Sequence, residues 1–397
     1  MRCIHLGKTK YFDHTSLTYP NRLIYASGST MDDTGGSISI EIIDSEEAFL
    51  ALQDQWDALI EKSTNPSFFS TFLFVSTAWK HFRSETDRLF ILVVRRDAQL
   101  VGIAPFRIGS EKVANNRLLA GIQVKVIRFI AEWGSGDKPV LVTTEDLEVI
   151  WDSIFQFLDK EFTRWDGIWL VEQAADSPVL NQRFFSRLWF FTRTFTNAPS
   201  FFISIAGTWE EFLTTRGKET YRTWKKDQKR LFNLPEGVVF QCVVDPGSIP
   251  EALKRFISIE QSGWKKDQDF SIGGSEKNKR FYEELLVQSS HKNMAAICLL
   301  TSGTMDIAGI IVYKYNRTVY AAQVTFSPKY AKYSPGMIIN AEVIKSFFNT
   351  HYQEIDYLGF QRGNEKNSLK ERWSTGSRQT TTIMLNKRNF RMWLYFR

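Results

Sequence analysis

The chain of 397 residues has few cysteines, few histidines and no long apolar run. Three cysteines, Cys3, Cys242 and Cys298, cannot build a disulfide framework, and with five scattered histidines they give no zinc-ligand spacing. Both absences suit a reduced, cytoplasmic protein without structural metal. Cys242 and Cys298 fall in strand-like patterns and read as inert core residues rather than acyl carriers. No window approaches the roughly 20 apolar residues of a membrane span; the longest runs are like that from Leu89 to Val94. The first 30 residues lack an apolar segment of the signal-peptide kind.

What is present is a globular composition, with 43% hydrophobic and 24% charged residues, which excludes disordered, collagen-like and coiled-coil classes. The length exceeds what one core usually supports, and 32 Phe, 13 Tyr and 12 Trp supply large side chains for two. The net charge of +6 is unevenly spread: residues 201–397 carry 29 Lys+Arg against 19 Asp+Glu, or +10, leaving −4 for the rest. The second half therefore suits an anionic ligand, or else a solvated basic face.

Residues 1–37 lack periodicity and read as a loose leader, with Met31 a candidate start of the functional part. From Ile38 the alternation of Ile38, Ile40 and Ile42 predicts a strand, and Asp44 with Glu47 a capping box opening a helix. A helix over 72–81, a hairpin about 95–99, strands near 125–130 and 140–142, a helix over 147–162, a strand over 167–171 and a helix near 180–188 complete a first unit, 38–200. The second unit, 201–386, opens on the capping box Thr208 to Glu211 and a basic helix over 216–232. A strand at 238–244, a second capping box from Ser248 to Glu251 with its helix to about Trp264, and a helix over 276–289 follow. Three strands come next (295–300, 307–313 and 318–325), then a helix over 334–348 and strands at 354–358 and 378–385. Residues 387–397 form a basic, aromatic tail that either docks onto the body or a second subunit, or lies on an anionic membrane surface. The shared order of elements predicts an α+β tandem of two similar units.

The sharpest local signal is the run from Tyr330 to Ile339. Ser334 is a good N-cap residue, Pro335 suits the first helical position, and Gly336 permits close approach. Free amides of Gly336, Met337 and Ile338 at a helix start would hold phosphate, with Lys329 and Lys332 just upstream; an ordinary capped helix is the plainer alternative. Because Met337, Ala341, Ile344 and Phe348 form a core stripe, this helix start lies at the end of the strand over 318–325, an arrangement suited to the diphosphate of an acyl-CoA.

Residues 201–386 resemble a GNAT-superfamily N-acyltransferase domain, of the branch containing CelD-type acetyltransferases and related to Fem peptidoglycan transferases. The matching stretches include 217–230, Ser262 to Lys265, Arg280 to Tyr282, Asp306 to Ala308, Phe326 to Gly336, Asp356 to Leu358, Gly363 and Lys370 to Trp373. Residues 38–200 are similar to the same branch more weakly, through Phe68 to Ser70, Trp79 and Leu100 to Pro105. The resemblance implies two tandem GNAT-like domains, each a mixed, mostly antiparallel sheet flanked by helices, with the second holding acetyl-CoA or another acyl-CoA as co-substrate and no metal. The family's Tyr-Lys is Leu369-Lys370 here, so no general acid is assigned to position 369.

Acyl transfer to an amine needs a base, because a free alkyl ammonium has a pKa near ~10. Asp356 and Glu260 are the candidates, each with a structural carboxylate as its alternative. A backbone N–H near Thr325 or Phe326 would hold the oxyanion. At the acceptor, Trp264 either stacks on a sugar or closes the core; Lys370 neutralises an acceptor anion or pairs with Glu365 or Glu371; Trp373 matches the family pattern beside it. The expected acceptor is a small amine or amino sugar of polysaccharide or envelope synthesis. Nucleic acid is a less favoured partner despite the basic helix, and the chain is expected to act as monomer or homodimer. The alternatives are a Fem-like transferase using aminoacyl-tRNA and a non-catalytic binding protein of the same fold.

Overall fold

The computed structural model describes residues 24–26, 37–64, 66–112, 122–131, 141–160, 165–181, 190–268, 271–359 and 368–395. Alternating apolar residues build two mixed sheets flanked by helices, the expected α+β tandem. In the first sheet the strands lie in the order Ile24–Ala26, Ile38–Ile43, Arg88–Arg96, Gln99–Lys112, Gln123–Phe129, Gly167–Ala174, Thr380–Lys387, Phe190–Thr196. In the second the order is Val239–Val243, Ala295–Ser302, Met305–Tyr315, Thr318–Phe326, Glu354–Asp356, Ser200–Ser204, Gly376–Arg378. Among the described residues each sheet has one parallel neighbour pair in its middle: Gln123–Phe129 with Gly167–Ala174, and Thr318–Phe326 with Glu354–Asp356.

One strand returns from the second unit to the first sheet. Thr380–Lys387 was expected at the end of the second unit, but it pairs antiparallel with both Gly167–Ala174 and Phe190–Thr196 in the first sheet. Period-two alternation buries Ile383 and Leu385 without specifying which sheet receives them. Ser200–Ser204, at the start of the second unit, sits in the second sheet between Glu354–Asp356 and Gly376–Arg378. The leader is also partly structured, because Ile24–Ala26 pairs with Ser39 to Glu41. In the tail, the helix Phe390–Tyr395 buries Met392 against Val124, Val126 and Trp169.

Local signals fare unevenly. Asp97 and Ala98 both adopt positive φ, the geometry of a two-residue hairpin turn, between Arg88–Arg96 and Gln99–Lys112. Thr208 and Glu211 form the expected capping box. The first helix is capped by Ser45, not Asp44, and Ser248 gives its hydroxyl to Asp245 instead of capping its helix. The inert-thiol reading of Cys242 and Cys298 is corrected: they face each other across neighbouring strands and are joined as a disulfide.

Aromatic packing fastens the units together. Phe68 stacks on Tyr313 at 4.3 Å between centroids, Phe69 meets Tyr320 edge-on at 5.2 Å, and Phe82 meets Phe281 at 4.7 Å. His81 and Lys80 share the Glu284 carboxylate beside this contact. Strand Thr318–Phe326 is thereby braced against the first unit at its start.

Candidate active site

Strand Thr318–Phe326 stays paired with Met305–Tyr315 along its length, but with Glu354–Asp356 only through Thr318, Val319 and Tyr320. Beyond Tyr320 and Asp356 the parallel pair opens, and Ala321 to Phe326 have no strand on that side among the described residues. The register slips between Ile311 and Val312, leaving Ala322 as an extra residue just where the strands part. A crevice at the carboxyl ends of diverging parallel strands is a place where α/β proteins receive ligands.

Two lysines reach the two sides of this opening. Lys265, in the short helical turn Trp264–Asp267, donates its Nζ proton to the Val324 carbonyl at 2.7 Å and to Gln323 Oε1 at 3.3 Å. Lys370, in the helix Ser368–Trp373, donates to the carbonyls of Tyr357 at 2.8 Å and Leu358 at 3.2 Å. Burial lowers the pKa of Lys265 to about 8, partly offset by the nearby Glu260 charge. Burial also lowers Lys370 to about 8; Asp356 opposes this shift, while Lys265 reinforces it by like-charge repulsion. Gln323 Nε2 donates to the Tyr282 hydroxyl at 3.2 Å, and burial raises that hydroxyl to about 12, so it stays protonated.

The two carboxylates differ in their surroundings. Both are fully buried. Asp356 accepts from the Leu358 amide at 2.7 Å, Ser200 Oγ at 3.3 Å and Arg378 Nη1 at 3.3 Å. Leu358 takes φ +58, a left-handed conformation uncommon for leucine, and its amide is fastened by Asp356. Glu260 Oε2 accepts from Ser271 Oγ at 2.8 Å and the Gly273 amide at 3.0 Å, but Oε1 has no hydrogen-bond partner among the described residues. A buried carboxylate oxygen without a donor is costly and is the more suitable one to receive a proton.

Strand alternation sorts the oxyanion candidates. Lys265 takes the Val324 carbonyl, while the Ser327 amide donates back to Ile307 on strand Met305–Tyr315. Val324 and Phe326 therefore present their amides to the opening, and Thr325, opposite Gly309, turns its amide into the sheet. The expectation at Thr325 is corrected accordingly.

The helix mouth departs further from expectation. Ser334 is left-handed, with φ +51, and makes no side-chain cap; its hydroxyl donates to Asp227 Oδ2 at 2.7 Å. The amides of Met337 and Ile338 are not free, since both donate to the Ser334 carbonyl. Gly336 is buried, and a Cβ there would lie 3.3 Å from Cδ1 of Phe326, so the close approach it permits is that of Phe326. Lys332 is exposed; its carbonyl accepts from Arg230 and its ammonium stands over the Tyr333 ring.

Trp373 was expected at the acceptor but has no exposed surface, lying among Trp209, Phe212 and Trp224. Gly363, Glu365 and the Trp264 side chain lie outside the described residues. Lys370 is spoken for by backbone carbonyls, not by Glu371. Sequence reasoning missed Lys265, Gln323 and Tyr282 as site residues, although Lys265 and Tyr282 lie within stretches that carried the resemblance. Among the described residues no cluster of three or more potential ligands could hold a metal, and no helix is long and apolar enough to cross a membrane.

Residues 218–367 match the model of the acetyltransferase (GNAT) domain family. No curated protein matches the chain significantly. Among solved structures the chain is similar to a conserved protein of unknown function from Bacteroides thetaiotaomicron, with 12% identity, a TM-score of 0.53, and 87% of this chain and 99% of that one covered. It is also similar to FemX, with 10% identity, a TM-score of 0.55, and coverage of 83% and 95%. At these identities the likeness is one of fold. Residues 218–367 of this tandem α+β chain are thus similar to the GNAT acetyltransferase domain, and the parting of Thr318–Phe326 from Glu354–Asp356 lies within the matched stretch.

Proposed function

We propose that this protein is an N-acyltransferase that moves an acyl group, acetyl by default, from acyl-CoA to the amine of a small molecule or amino sugar, in polysaccharide or envelope synthesis. The observation that carries the reading is the parting of Thr318–Phe326 from Glu354–Asp356, with Lys265 and Lys370 donating to carbonyls on its two sides. In this reading the acceptor amine gives a proton to Glu260 Oε1 and attacks the thioester carbon. The oxyanion takes the Phe326 amide, and the carbonyl re-forms as the thiolate leaves. A thiolate of pKa about 8.5 needs little acid help. Lys265 keeps a positive charge beside the reacting groups at neutral pH.

The test is thiol release from acetyl-CoA against a panel of amines and amino sugars, wild type beside Glu260→Gln. Amine-dependent release that the variant loses supports the reading. Silence across the panel with short- and long-chain acyl-CoA overturns it.

A second reading has a specific observation in its favour. Asp227, Ser334 and Phe326 occupy the helix mouth where a CoA diphosphate was expected. An aminoacyl-tRNA donor, as in the Fem-like alternative, would not need that mouth. Amine acylation with charged tRNA and indifference to acyl-CoA would favour it.

A further inference from the structure

Strand Phe190–Thr196 ends the first sheet, pairing inward with Thr380–Lys387 and outward with no strand among the described residues. Its central residues read Phe191-Thr192-Arg193-Thr194-Phe195, the same in both directions. The Asn197 amide donates inward to Thr380, and the Phe191 carbonyl accepts from Asn386 on that same inner side. By alternation the odd-numbered residues bond inward, and Thr192, Thr194 and Thr196 turn their backbone N–H and C=O groups to the open edge. Thr192 to Thr196 are exposed, Phe195 to 47% of its surface, and the nearby helix Phe390–Tyr395 exposes Phe390 to 68% and Trp393 to 46%. An open edge with its amides outward is a template for another strand.

We infer that two copies of this chain join along Phe190–Thr196, antiparallel about a two-fold axis at Arg193, continuing the first sheet from one protomer into the next. In that register Thr192 exchanges two backbone hydrogen bonds with the partner's Thr194, and Thr194 does the same with the partner's Thr192. The palindrome makes every cross-strand pair match: threonine meets threonine and Phe191 meets the partner's Phe195, both favourable pairings. The exposed Phe195 is thereby covered by the partner's Phe191. Arg193 lies opposite itself at the two-fold axis. The two-fold pairing uses the same edge on both copies, so assembly closes at the dimer.

Sedimentation of the full chain over a range of concentrations tests this. A reversible dimer is expected. Thr194→Pro removes an outward N–H without touching the inner ladder, so it should keep the fold by circular dichroism and weaken the dimer by roughly a hundredfold. Arg193→Cys should form an intermolecular disulfide on mild oxidation, because position 193 lies opposite itself, whereas Thr192→Cys, opposite position 194, should not. A wild type that stays monomeric at high micromolar concentration would overturn the inference. So would a dimer indifferent to Thr194→Pro, or equal cross-linking at 192 and 193.

Discussion

Lys265 and Lys370 hold opposite sides of one opening, Lys265 through the Val324 carbonyl at 2.7 Å and Lys370 through the Tyr357 carbonyl at 2.8 Å. Each has its pKa lowered to about 8 by burial, and the charge on Lys265 helps to lower Lys370. They are therefore one electrostatic unit built from segments more than a hundred residues apart in sequence.

The unit has a signature in alkali. Unfolded lysine titrates near ~10.4, so between about pH 8 and 10.4 the unfolded chain binds more protons than the folded one, and stability rises with pH across that window. Relative to wild type, Lys265→Met should lose part of this rise in thermal melts taken from pH 7.5 to 10. The same variant removes a like charge from Lys370, whose pKa should climb back toward the ordinary lysine value. Amine-labelling at pH 8, read by mass spectrometry, should then modify Lys370 more slowly in the variant. An unchanged labelling rate would uncouple the pair.

The two buried carboxylates should separate by phenotype. Asp356 has its oxygens engaged by Leu358, Ser200 and Arg378, so Asp356→Asn is expected to cost roughly 1–3 kcal/mol of stability, seen as a lowered denaturant midpoint. Glu260→Gln keeps an acceptor for Ser271 and Gly273 and should leave the midpoint nearly unchanged. Its transfer rate should fall by ~10²–10⁴-fold, the usual contribution of a positioned base. The reverse pattern would move the base to Asp356.

Most of this architecture is legible in the alternation of apolar residues. The three successive strands, their turns and the helix after Ser334 can be read within a few residues, because burial on a sheet face imposes period two and on a helix period near 3.6. The choice of neighbour is not legible in that way. Nothing in the pattern from Thr380 to Lys387 distinguishes the first sheet from the second, and the palindrome about Arg193 gains meaning only once that strand is known to be an edge. Lys265 was hidden for another reason: a lysine after a helix reads as solvated unless the strand that buries it is known. Ser334 was misread because its hydroxyl is captured by Asp227, 107 positions earlier. Trp373 was expected at the acceptor because it matches the family pattern, and its contacts with Trp209 and Phe212 put it in the core.

The disulfide gives a stability prediction of its own. Cys242 and Cys298 fasten the edge strand Val239–Val243 to Ala295–Ser302 across a sequence separation of 56. Closing a loop of that length restricts the unfolded chain by about 4 kcal/mol in the chain-entropy account. Cys242→Ser with Cys298→Ser should therefore lower the denaturant midpoint under oxidising conditions and match the wild type once a reductant is added. Equal midpoints without reductant would mean that the pair does not form in solution.

The helix mouth offers a test of where the phosphates of acyl-CoA bind. Asp227 places a carboxylate on Ser334, where a diphosphate at the helix start would have to approach. If acyl-CoA uses this helix start, that negative charge opposes it, and Asp227→Asn should tighten acetyl-CoA binding by about 1 kcal/mol, roughly fivefold. The substitution leaves an oxygen to accept from Ser334, so the turn from Pro328 to Tyr333 should keep its shape. Calorimetric titration of acetyl-CoA into wild type and variant reads the difference directly. Tighter binding assigns the donor's phosphates to the start of helix Pro335–Phe347, whereas an unchanged affinity means that the donor enters by another part of the opening, along strand Thr318–Phe326.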